Sequence, residues 1–201
     1  AELWPLSAHR LAANEELFLD VIEAVGEFVA LPQSRRMHSY GGCGWHHSDF
    51  DLTRGRDIYY WQVNRLLART SLQLQLATSG EDRGRLVEVA GDARNDLVAQ
   101  TIQGAAPTDR EPIQHAVALF RRRGATGEDK RSACLALARV LEGRRALLRE
   151  KLLRRDEGAL FQIANEFDLR HRAENQKGDY DPVFLDWVFW WYLGTIELTD
   201  R

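Results

Sequence analysis

Phe161 to Leu198 reads FQIANEFDLRHRAENQKGDYDPVFLDWVFWWYLGTIEL, and its second half decides the fold. Asp181 is placed to cap a helix and Pro182 to occupy its first position, where the missing N–H costs nothing. The helix that follows sets Phe184, Trp187, Val188, Trp191 and Leu198 on one side, and Leu185, Phe189, Tyr192 and Ile196 on another. A helix that is apolar nearly all round must be covered by more than one neighbour. The expected class is therefore mainly α: a C-terminal helical bundle around this helix, joined to an N-terminal helical half with one small β-hairpin. Trp187, Trp190, Trp191 and Tyr192 are the candidate anchors of a homodimer interface, because large aromatics dominate such surfaces. Asp186 and Glu197 interrupt the apolar run and it is short for a bilayer, so no membrane partner is expected.

The first half of the stretch is polar. Arg170, His171, Arg172 and Asn175 sit among Glu174, Gln176, Lys177 and Asp179. Histidine moves a proton near neutral pH, and arginine forks hold a phosphate and its developing charge. The cluster suits metal-free cleavage of RNA, with Arg170 and Arg172 on the scissile phosphate and His171 as general acid or base. The competing reading is a knot of ion pairs in which Glu166, Asp168, Asp179 and Asp181 neutralise the arginines.

Upstream, Arg121 to Arg155 holds twelve Lys and Arg against Glu128, Asp129, Glu142 and Glu150, so +8 falls here and −11 on the rest of a chain of net charge −3. Arg121, Arg122, Arg123, Arg144, Arg145 and Arg149 are candidates for nucleic-acid phosphate contacts, with RNA as the expected partner. A solvated helix face paired with the acidic remainder is the alternative.

Thr108 with Glu111 has capping-box spacing before Ile113 to Arg123, and Thr126 with Asp129 repeats it before a long helix to about Arg154. A shorter helix follows from Asp156. Arg110 and His115 fit an arginine-x4-histidine spacing, which Pro112 beside a helix start makes a coincidence. In the N-terminal half, Asn14 caps a helix to about Leu31, where Pro32 stops it, and Arg56 to Arg69 restores helical periodicity. Leu72, Leu74 and Leu76 alternate with Gln73 and Gln75 before Leu86, Val87 and Val89, which predicts a hairpin over about 72–90. Asp92 to Ile102 is a further helix. The break at Gly104 to Pro107 predicts a boundary between domains 1–104 and 105–201. The last helix has no stop signal before Arg201, as expected of a segment of a longer protein.

Ser34 to Thr53 is expected to be a long glycine-rich loop packed down through Tyr40, Trp45 and Phe50. It contains His38, Cys43, His46 and His47 as H-x4-C-x2-H-H. Zinc accepts such donors, but the spacing matches no closed structural site, so neither a metal nor any other cofactor is expected. Cys43 and Cys134 have dissimilar surroundings and make no disulfide framework. With no such framework a reducing cytoplasm is the expected location, and Ala1 to Ala13 shows no basic start followed by an apolar run.

Two stretches carry a family resemblance. From Phe18 to Val87, the order FLDVIEAVGEFV, HSYGGCGWHHSDFD and RGRDIYYWQVNRLLARTSLQLQLATSGE resembles the N-terminal domains of bacterial abortive-infection (AbiJ-like) proteins. IANEFDLRHRAENQKGDYDPVFLDWVFWWYL, Ile163 to Leu193, resembles the C-terminal helices of HEPN-like proteins, and the two matches together cover about half of the chain. The resemblance implies a helical bundle, commonly dimeric, and phage defence through a metal-independent ribonuclease. The HEPN pattern places a histidine four to six residues after its arginine. Here His171 is adjacent to Arg170 and Arg172, and Asn175 stands near the expected histidine position. A non-catalytic interaction module acting by dimerisation or partner docking is the other function the sequence admits.

Overall fold

Asn14 begins the first long helix as its chemistry requires: its side-chain oxygen accepts the Leu17 N–H at 3.0 Å. The computed structural model describes residues 4–152, 154–166 and 183–201. A short helix α1 (Ala8–Ala12) leads into α2 (Glu15–Phe28), which ends before the predicted Leu31 because the chain turns there into a strand. Strands β1 (Leu31–His38) and β2 (Gly44–Asp51) pair antiparallel around a 3-10 turn at Tyr40–Gly42. Helix α3 (Leu52–Leu67) follows, capped by Asp51, which accepts the Arg54 N–H at 2.9 Å. β3 (Leu74–Leu76) and β4 (Leu86–Glu88) form the hairpin that the leucine alternation predicts.

These elements make one unit, Ala1–Glu88. Its core joins Leu19 and Ile22 of α2, Tyr60, Val63 and Leu67 of α3, and Leu76 and Leu86 of the small hairpin. Polar groups fix the hairpin on the helices. Asn64 accepts the Leu76 N–H at 2.7 Å and donates to the Leu76 carbonyl at 3.0 Å, and Glu23 accepts the Leu86 N–H at 2.8 Å. Each satisfies a backbone group that a third strand would otherwise pair.

The stretch 34–53 corrects the expectation of a packed loop. It is mostly strand, and Tyr40, Trp45 and Phe50 are exposed. Gly41, Gly42 and Gly44 all have positive φ, at 63°, 73° and 77°, which is what lets the chain reverse so tightly. At the root of this arm α3 lies so close to the chain that a Cβ on Gly55 would stand 2.5 Å from the Ala30 Cα.

The second unit, Val89–Arg201, comprises α4 (Asp92–Gly104), α5 (Pro107–Arg121), α6 (Gly127–Gly143), α7 (Arg145–Lys151), α8 (Arg154–Glu166) and α9 (Val183–Thr199). The division falls at Glu88, not after Gly104, because Val98 and Ala105 belong to the bundle core and α4 packs on α9. Pro107 is the first residue of α5, so Thr108 lies inside the helix instead of capping it. The Thr126–Asp129 capping box is present. The single long helix expected from there to Arg154 is two helices, α6 and α7, broken after Gly143, and the shorter helix expected from Asp156 is α8.

Helix α9 is the centre of the bundle, covered by α4 and α6. Leu185, Val188, Phe189, Tyr192, Leu193 and Ile196 are buried with Cys134, Leu137 and Leu141 of α6. Phe189 stacks on Phe120 at 3.7 Å, and the Tyr192 hydroxyl donates to the Leu160 carbonyl at 3.1 Å. Burial of this many large side chains supplies the favourable term that opposes chain entropy.

Candidate functional site on the β1–β2 arm

Register sorts the arm's side chains onto two faces, since residues opposite each other in an antiparallel pair point the same way. Arg35 pairs with His47 and Met37 with Trp45, so these four share one face. The Arg35 guanidinium lies over the Trp45 ring at 4.6 Å, and the indole remains 52% exposed. Arg36 pairs with His46 and Ser34 with Ser48, placing them on the other face with His38. From Ser34 to Ser48 the chain contains no carboxylate, while it carries two arginines and three histidines. Asp49, next in sequence, has φ 55° and accepts hydrogen bonds from the Ser34 and Ser48 hydroxyls. Those bonds, Ser34 first, hold its carboxyl below the ordinary range.

On the second face, one nitrogen each of His38 and His46 and the Cys43 thiol lie within 4.8 Å of one another. The two rings meet edge to face at 5.3 Å. His38 is half-buried, and its Nδ1 is shielded from solvent with no hydrogen-bond partner. His47 projects from the opposite face and does not join them. Cys43 is exposed, whereas Cys134 is buried in the bundle, donates to the Leu185 carbonyl at 3.5 Å, and has its pKa pushed up to about 12 by burial.

The six candidate phosphate-binding arginines do not form one class. Arg144 is 11% exposed, and its guanidinium donates to Asp109, Asp200, Thr199 and the Ile196 carbonyl. It is a clamp inside the bundle, tying the start of α5 to the end of α9, which corrects its assignment to a phosphate-reading surface. Arg145 pairs with Glu157 at 2.8 Å and covers the Phe161 ring at 4.5 Å, and Arg149 reaches the same carboxylate at 3.4 Å. Arg145 leads in holding Glu157 below the ordinary carboxylate range. Arg122 pairs with Asp129 at 2.8 Å, and Arg121 and Arg123 also have partners. Acidic side chains thus pair with Arg122, Arg145 and Arg149, each of which keeps much of its surface in solvent.

Among the aromatic candidates, Tyr192 is in the core and leaves the interface set. Trp190 is half-buried beneath Arg94, edge-on to Phe120 and Phe189. Trp187 is 51% exposed and stacks on half-buried Trp191 at 5.5 Å. Arg110 and His115 both lie on α5, and five residues of helix turn through about 140°, so they leave on different sides. Arg170, His171, Arg172 and Asn175 lie outside the described residues.

The pairing of Arg35 with Trp45 and the convergence of His38, Cys43 and His46 were hidden in sequence by the reading of this region as a loop. The signal available was the cluster of Gly41, Gly42 and Gly44, residue types that permit a tight reversal. No helix among the described residues is long and apolar enough to cross a membrane. Comparison with family models, curated proteins and solved structures finds no match to this chain.

Proposed function

We propose that the protein binds single-stranded RNA through the β1–β2 arm, in a defence role of the abortive-infection kind. The observation that supports this reading is the carboxylate-free arm with Trp45 exposed beneath Arg35. A base stacked on an exposed aromatic ring contributes about 1–3 kcal/mol, and arginine beside it adds a phosphate contact or a cation–π contact. The arm offers both within two residue pairs, on a ribbon whose distal part has no negative side chain to repel a phosphate.

Fluorescence anisotropy with a labelled single-stranded RNA tests it, with single-stranded DNA of the same sequence as a control. Trp45→Ala is expected to weaken binding about tenfold or more. Neutralising Arg35 and Arg36 together is expected to lower the slope of log affinity against log salt by roughly 1.4. Absent or salt-insensitive binding would overturn the reading. Cleavage is a separate step, proposed for Arg170, His171 and Arg172. Incubation with tRNA in EDTA beside a His171→Ala control decides it, and no cleavage, or equal cleavage by the variant, rules it out.

A second reading, a homodimer docked through α9, is favoured by the outward stack of Trp187 on Trp191. Light scattering on the wild type and Trp187→Ala distinguishes it: a monomeric wild type removes it.

A further inference from the structure

We propose that His38, Cys43 and His46 form a binding site for Zn(II) at the tip of the arm. The three donors come from nine consecutive residues, and they converge because the positive-φ glycines fold Cys43 back over the face that carries both imidazoles. Ligand atoms around tetrahedral zinc stand about 3.4–3.6 Å apart, so donors already within 4.8 Å need side-chain rotation alone to close on an ion. A shielded imidazole nitrogen without a partner costs free energy, and His38 Nδ1 is one.

The donor set selects the metal. Two imidazoles and a thiolate are borderline to soft ligands, which suit zinc and cobalt, whereas magnesium and calcium require oxygen donors. No carboxylate lies between Ser34 and Ser48 to supply them. His47 faces the other way, so the chain provides three ligands and water completes the tetrahedron. On binding, the Cys43 thiol loses its proton to solvent and no electron is transferred. The ion and the thiolate together add one positive charge to the tip. They also join the end of β1, the turn and the start of β2 through a single centre.

The site is distinct from the Trp45 face, and its test uses no RNA, so failure here and failure of the RNA reading are separable. The full chain, purified with a non-thiol reductant and freed of metal, is titrated with Co(II) and then with Zn(II). Expected are saturation at one equivalent, a thiolate-to-cobalt charge-transfer band with the intense visible bands of tetrahedral cobalt, and loss of both as zinc displaces cobalt. Cys43→Ser should abolish the charge-transfer band. His38→Ala and His46→Ala should each weaken binding by at least about a hundredfold, since losing even an outer-shell partner costs up to that much. His47→Ala should bind as the wild type does. Circular dichroism of each metal-free variant checks that it is folded, and the Cys43→Ser result, at an exposed position, decides if a histidine variant is not. No saturable binding, spectra of six-coordinate cobalt without a thiolate band, or equal binding by Cys43→Ser would overturn the proposal.

Discussion

Replacing Arg144 by alanine tests whether the clamp inside the bundle is structural. Its guanidinium donates to Asp109 at 2.7 Å and to Asp200 at 2.6 Å, with Thr199 at 2.7 Å and the Ile196 carbonyl at 3.1 Å. The positive charge thus lies at the C-terminal end of α9, where the helix dipole favours it, and Asp109 sits in the first turn of α5, where a carboxylate is favoured. Removing one member of a buried ion pair costs about 3–5 kcal/mol, because the partner is left buried and unpaired. Asp200 is 14% exposed and would suffer most of that, while Asp109, at 27%, recovers some hydration. The lower end, about 3 kcal/mol, is expected, or a fall of roughly 10 °C in Tm for a chain of this length. Arg149→Ala is the control: that side chain is 63% exposed, and an exposed pair contributes well under about 1 kcal/mol. Arg144→Lys keeps the charge without the fork and should fall between them. Urea unfolding followed by far-ultraviolet circular dichroism measures all three. A midpoint for Arg144→Ala equal to that of Arg149→Ala, together with weakened RNA binding, would refute the clamp and restore Arg144 to a phosphate surface.

The two cysteines should separate by reactivity: a thiol reagent titrates Cys43 in the native metal-free protein, and Cys134 only after unfolding, because burial holds the latter as a neutral thiol. Since its folded pKa is raised, the stability Cys134 contributes is present below about pH 9 and is lost as pH rises toward 12. Asp129 has the opposite sign. The Thr126 N–H, then its hydroxyl and Arg122, hold its carboxyl low, so the capping box stabilises the fold above about pH 4 and loses that contribution as acid protonates it. Thr126→Ala should cost about 1 kcal/mol at neutral pH and flatten the acid limb of a urea-midpoint profile. Phe189→Ala, which breaks the stack on Phe120, should cost about 3–5 kcal/mol, while Trp187→Ala should leave monomer stability nearly unchanged.

Where local chemistry alone determines an element, the residues announced it. Asn14 and the Thr126–Asp129 pair cap the helices that they appear to cap, and the apolar surround of α9 is that of a helix covered on several sides. The arm was illegible for the converse reason. Strand patterning is a record of one buried face, and QSRRMH and WHHSDF have both faces in solvent, so no alternation is written into them. The break at Gly143 was masked because apolar spacing continues from Leu141 to Leu148 across it. Arg144 reads like any other arginine in a basic run. Only the fold brings Asp109 and Asp200, from residues far apart in sequence, to the same guanidinium.

A two-stranded ribbon has no interior strand, so both β1 and β2 present unpaired backbone groups along their outer edges. Such edges recruit strands from other chains unless something obstructs them. Here the obstruction is Pro32 at the root, the adjacent charges of Arg35 and Arg36, and the left-handed kink at Asp49. The arginines that would greet a phosphate therefore also keep copies of the arm from zipping together. Variants that neutralise both must be followed for self-association as well as for RNA affinity, because a ribbon stripped of its charge acquires a new partner in itself.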